Sequence, residues 1–222
     1  MTEQIKLPVP TQLNFFDTPK AKSGKYKGIV TPQEMFPNFK KGYSVFGMNN
    51  GSFSFGDVVE HFLNQIGPAH CLISTWVASQ AATTKVCHFL DDNRFLSVRF
   101  LVDRMFSESR KPVYDYIVKN FGVDSIRTSR NHVKFCVLYN EKFNVVIETS
   151  ANLNKNTRLE SFRITEDEQF CQFFRNIFDD FFNKIAPSEN TKLSSSQKLE
   201  SIDEFSYGAQ DEEIFELDYK FE

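Results

Sequence analysis

His132 and Lys134 stand two residues apart in "HVKFCVLY", and Ser150 and Asn152 stand two apart at the end of "FNVVIETSAN". Residues two apart on an extended chain project to one side, so an imidazole and an ammonium share a face of the first run. Asn140-Glu141-Lys142 suits a hairpin connection, which returns the second run until its end lies level with His132 and Lys134. A phosphodiester fits the groups that converge. Lys134 and Asn152 can hold non-bridging oxygens, Ser150 can donate a further hydrogen bond, and His132 can attack phosphorus or move a proton. Glu160 can accept from the other imidazole nitrogen and fix its tautomer. The chemistry requires no metal, and no cofactor is expected. Taken singly, each residue has a plainer reading: a surface or core His-Lys pair, a turn and helix cap at Ser150 and Asn152, and a solvated Glu160.

Positioning such a group takes a sheet. Val58, Val59, Phe62, Leu63 and Ile66 recur on one face of a helix that Gly67-Pro68 ends. "HCLISTWVA" reads as a buried strand, "QAATTKVCHFLDD" as a helix, "FLSVRFLVD" as a strand and "KPVYDYIVKNFG" as a helix, the alternation of a parallel sheet. The hairpin then makes the sheet mixed. A final helix follows, with Thr165-x-x-Glu168 as its expected capping box and a phenylalanine stripe from Phe170 to Phe182. The expected fold class is therefore α/β, a mixed sheet flanked by helices. Trp76, at the end of its strand, reads as core, with base stacking as the alternative. His61, His70 and His88 show no metal-ligand spacing.

His132-Val133-Lys134, then Thr149-Ser150-Ala151-Asn152, then Glu160 resemble the signature of the phospholipase D superfamily: His-x-Lys-x4-Asp, Gly-Ser-x-Asn and a following acid. The likeness spans roughly residues 45 to 186 and includes the order of strands and helices. Tyr139 stands where the signature has Asp, with Asn140 and Glu141 beside it, and Thr149 stands where it has Gly. The resemblance implies a phospholipase D-like mixed sheet and a covalent phosphohistidine intermediate. Two signature copies complete one site in that superfamily; this chain has one. It is similar to the small bacterial nucleases that share a site across a two-fold axis, which implies a homodimer. Arg127, Arg130, Lys155 and Arg158 surround the motif in sequence and favour nucleic acid, DNA first and RNA as the alternative, over lipid. Two other readings stay open: a module without turnover that binds nucleic acid or a replication protein, and a phospholipid phosphodiesterase.

The chain of 222 residues is 41% hydrophobic, enough for a core. Residues 1 to 44 mix Pro, Lys and scattered aromatics and are expected to form an irregular arm before a domain of residues 45 to 186. Within that arm Gln12, Leu13, Phe15 and Phe16 resemble the short motif that docks bacterial replication proteins on a sliding clamp, with folding back on the domain as the plainer reading. Residues 187 to 222 carry ten acids and three lysines and are expected to be an acidic disordered tail. Their balance of −7 leaves +4 on the rest of a chain whose net charge is −3. Four scattered cysteines without a Cys-x-x-Cys pattern, no signal-like apolar segment at the start and no long apolar run point to a cytoplasmic protein without a membrane partner.

Overall fold

The computed structural model describes residues 31–155 and 157–187. The expected clamp motif and acidic tail lie outside these residues. Packing begins earlier in the chain than the sequence suggests. Helix α1 (Pro32–Met35) is closed by a Thr31–Glu34 capping box, and the following Phe36 is fully buried against Phe53, Phe62 and Phe162. Residues 31 to 44 thus contribute to the core, ahead of the expected boundary at 45.

The expected mixed sheet flanked by helices is present. Among the described residues seven strands, numbered in chain order, lie in the order β1-β7-β6-β5-β2-β3-β4. Strands β2 (Ala69–Thr75), β3 (Phe95–Asp103) and β4 (Ile126–Ser129) are parallel, joined through α3 (Gln80–Asp91) and, between β3 and β4, α4 (Phe106–Ser109) and α5 (Lys111–Phe121). Strand β5 (Phe135–Tyr139) pairs antiparallel with β2 and turns into β6 (Asn144–Thr149); β7 (Glu160–Glu166) and β1 (Ser44–Asn49) extend the antiparallel half. The hairpin forms where expected. Asn140 closes it by accepting from the Lys142 and Phe143 amides, while its own amide donates to the Ile66 and Pro68 carbonyls.

Sequence periodicity explains the helices. Helix α2 (Phe55–Ile66) starts at a Ser54–Asp57 capping box, buries Val58, Val59, Phe62 and Leu63, and ends at Gly67, whose φ of 78° favours glycine. It packs with α3 and α5 on the face holding the larger core. Helix α6 (Glu168–Lys184) covers the other face, where Phe174 and Phe178 pack on Phe135, Val137, Leu72 and Leu101. Its cap is Asp167, accepting from the Phe170 amide, and not Thr165. Thr165 is committed to the β7 ladder, paired with Ser44 and Val146. Strand hydrogen bonds had already claimed the residue that the capping pattern selected.

Glu166, 5% exposed, accepts from the Gly42 and Asn144 amides and from Lys41 Nζ at 2.8 Å, tying the segment before β1 to the β6–β7 edge. All four cysteines are buried as free thiols, the role expected of core residues.

Candidate active site

The parallel strands β2, β3 and β4 end on the same edge as β6, and β5 and β7 begin there, so this edge gathers chain ends from the whole sheet. Its floor is held by buried polar side chains. Asn131, 6% exposed, donates through its amide to Ser74 Oγ at 2.9 Å and the Leu101 carbonyl at 2.9 Å, and accepts from the Val133 amide at 3.1 Å. Ser74 Oγ donates to the Val133 carbonyl at 3.0 Å. His132 therefore sits on a clamped bridge into β5; the strand itself begins at Phe135, three residues later than the sequence pattern implies. Pairing continues irregularly to Lys134, whose carbonyl accepts from the Thr149 amide at 3.0 Å.

On this bridge the predicted pair meets. Lys134 Nζ lies 2.9 Å from His132 Nδ1, 3.3 Å from Nε2 and 2.6 Å from the His132 carbonyl. An ammonium only donates, and it lies at nearly the same distance from both ring nitrogens, so the contact singles out neither. Lys134 is 8% exposed, and burial lowers its pKa against the opposing pull of Glu160. His132 is exposed, with the Trp76 ring 5.3 Å away. Trp76 itself is 43% exposed and is not the core residue that its apolar run suggested. The strand ends at Thr75, and one residue past that end a side chain is free to face the site.

Across the hairpin, Ser150 Oγ donates to Glu160 Oε2 and accepts from the Ser161 amide at 3.0 Å. Glu160 is thus engaged with Ser150 and holds Lys134 electrostatically. Ser150, His132 and Lys134 line one cavity of about 640 Å³ together with Thr149, Ser161, Glu148, Arg163, Phe46, Phe135 and Phe174. Asn152 is not on its wall. That residue lies between buried Ala151 and Leu153, whose amide donates to Thr75 Oγ1, and its own Oδ1 is buried without a hydrogen-bond partner.

The departures from the signature have local accounts. Thr149, in place of glycine, donates through Oγ1 to the Ser161 carbonyl at 2.8 Å and accepts from the Ala151 amide at 2.9 Å, so its hydroxyl stitches β6 to β7. Tyr139, in place of aspartate, lies at the far end of β5, stacked on His70 with Arg175 4.1 Å from its ring. Four residues of strand, about 13 Å, separate it from Phe135. It does not touch the site's edge.

Of the basic residues expected to meet nucleic acid, Arg127 is otherwise engaged. It is 6% exposed, donates to the Ile185, Val123, Asp124 and Ile126 carbonyls, and lies over the Phe182 ring at 4.6 Å. Its place within β4 and not past its end accounts for this burial. Arg130, one residue beyond β4, is exposed, and repulsion between it and Arg104 helps lower the Arg104 pKa after burial. Lys155 and Arg158 are exposed on the β6–β7 connection. Arg104, Asn131, Glu148 and Arg163 escaped the motif reading, because their place depends on strand ends and cross-strand register. No group of three His, Cys, Asp or Glu side chains able to hold a metal occurs among the described residues.

A His-x-Lys pair and a Ser-x-Asn loop thus meet on one edge of a mixed sheet flanked by helices. No family model and no curated protein sequence matches the chain. Among solved structures it is similar to the phospholipase D family member Nuc from Salmonella typhimurium, at 15% identity over 65% of this chain and 96% of that one, with a TM-score of 0.44. NucT from Helicobacter pylori is similar at 12% identity, over 64% of this chain and 98% of that one, TM-score 0.46. Phosphatidylserine synthase from Haemophilus influenzae Rd KW20 is similar at 15% identity, over 72% of this chain and 44% of that one, TM-score 0.46.

Proposed function

We propose that the chain is a phosphodiesterase that cleaves nucleic acid, DNA in the first instance, through a phosphohistidine. The observation that carries this is the contact of Lys134 Nζ with the His132 ring at the mouth of a cavity lined by Ser150 and joined to Glu160. A cation 2.9 Å from the imidazole sets positive charge where phosphoryl oxygens would lie. His132 attacks phosphorus and the P–O bond to the leaving group breaks. The leaving oxygen takes a proton from a second imidazolium, His132 of the partner subunit; that histidine then accepts a proton from water, which displaces the first imidazole from phosphorus. Val133, 59% exposed between the two catalytic residues, and Leu159, 63% exposed beside Glu160, support a second copy closing over the site. Exposed Arg130, Lys155 and Arg158 support a polyanionic substrate.

A direct test incubates the full chain with single-stranded DNA, double-stranded DNA, RNA and phosphatidylcholine vesicles in parallel. Hydrolysis of nucleic acid but not lipid is expected. Hydrolysis of the vesicles alone would replace the nuclease reading with a lipid one, and binding without hydrolysis would replace it with that of a binding module.

A further inference from the structure

One row of the sheet has a composition that phosphodiester hydrolysis does not need. Phe135 on β5 pairs with Glu148 on β6, Glu148 with Arg163 on β7, and Arg163 with Phe46 on β1. Directly paired residues project to the same face, so a phenyl, a carboxyl, a guanidinium and a second phenyl stand side by side across four strands. All four line the cavity beside His132 and Lys134, and Phe174 of α6 joins the wall, its ring 4.5 Å from that of Phe135. At about 640 Å³ the cavity falls in the range of small-molecule sites, roughly 300–1,000 Å³.

Glu148 has one carboxyl oxygen, Oε2, that is buried without a hydrogen-bond partner. Burial raises its pKa, against the opposing charge of Arg163. The Glu148 side chain lines the cavity, and a small turn of its carboxyl would present this unsatisfied acceptor to a donor from a ligand. Arg163 is exposed and offers donors next to it. Phe46, 60% exposed on an edge strand, offers a bare ring face.

From this row, we infer that the cavity holds the nucleobase next to the scissile phosphate, and that the base it fits is guanine. The inference rests on the nuclease reading above. A flat ring standing on this floor meets the carboxyl and guanidinium by its edge and one of the two phenyl rings by its face. Guanine presents two adjacent donors, N1–H and the N2 amino group, beside the O6 acceptor, which matches a carboxylate next to a guanidinium. Adenine presents one donor on that edge and cytosine one. Stacking gives affinity for any base, and the Glu148–Arg163 pair gives the choice among them.

Equilibrium dialysis of the full chain against GMP, IMP and CMP tests this without requiring turnover. GMP should bind about 10-fold more tightly than CMP, and IMP, which lacks the 2-amino group, should fall between them. Glu148→Gln should abolish the GMP preference while leaving a folded protein by circular dichroism, and Arg163→Ala should weaken GMP binding by a similar factor. Equal binding of the three nucleotides, or a preference that survives both substitutions, overturns the inference. Hydrolysis of bis(p-nitrophenyl) phosphate by the wild-type protein separates the two claims, since that diester carries no base: its hydrolysis without nucleotide preference sinks the pocket alone, whereas no hydrolysis with intact GMP preference sinks the nuclease reading and leaves a guanine-binding pocket.

Discussion

At the residue scale, proximity in sequence and engagement in space part company at particular atoms. His132 and Lys134 meet as the two-residue spacing predicts, because that spacing is a property of any extended backbone. Ser150 and Glu160 meet as well, although the carboxylate takes the serine hydroxyl where an imidazole contact was expected. Arg127 lay in the same basic cluster as Arg130, yet one is buried among carbonyls and the other is exposed past the end of β4; composition carries no information on that difference of three residues. Glu148 supplies a pH prediction. Burial raises its carboxyl pKa above the ordinary 4.5, so the folded state holds its proton more tightly than the unfolded state does. Its contribution to stability is full below pH 4.5 and is lost as pH rises through the raised value. Glu148→Gln should therefore melt higher than wild type at pH 7, with the gap closing below pH 4.5 in thermal scans.

At the scale of elements, the four long helices α2, α3, α5 and α6 and the inner strands were readable because their apolar character is strong, whereas α1, α4, β1 and β7 were not. "SVFGMN" and "ESFRITE" are half-exposed strands whose alternation is diluted by charge, and only their mutual pairing makes them a sheet edge. That pairing creates the cavity floor, so the pocket was invisible for the same reason. The bridge holding His132 is an element of this kind, fixed by the Asn131 amide against Ser74 and Leu101. Asn131→Ala leaves these buried partners short of a donor and should cost about 2 kcal/mol in urea titration. It should also lower kcat more than KM rises, since the imidazole is displaced and the phosphate-binding groups stay. Glu166→Ala, which removes the acceptor shared by the Gly42 and Asn144 amides and by exposed Lys41, should cost about 2 kcal/mol by the same measurement.

For the molecule as a whole, the proposed mechanism draws one His132 from each of two subunits. If a site takes His132 from each of two subunits, only pairs of wild-type chains are fully active. Mixing unfolded wild-type and His132→Ala chains and refolding them together should give activity that falls as the square of the wild-type fraction; a linear fall would mean that each subunit works alone. The excess of basic residues near the site should appear as salt sensitivity, with binding to a single-stranded oligonucleotide weakening steadily between 50 and 200 mM salt, on the order of the loss expected for a few phosphate contacts.

The claim on which these predictions depend is that His132 breaks the phosphodiester bond. Cleavage of DNA by the purified full chain in EDTA, beside His132→Ala handled identically, tests it most directly. Chelation silences enzymes that depend on a dissociable divalent ion. The account predicts cleavage by wild type in EDTA and a loss of at least about 100-fold in the variant, with oligonucleotide binding retained. Equal cleavage by the two proteins, or cleavage that EDTA abolishes, would contradict it.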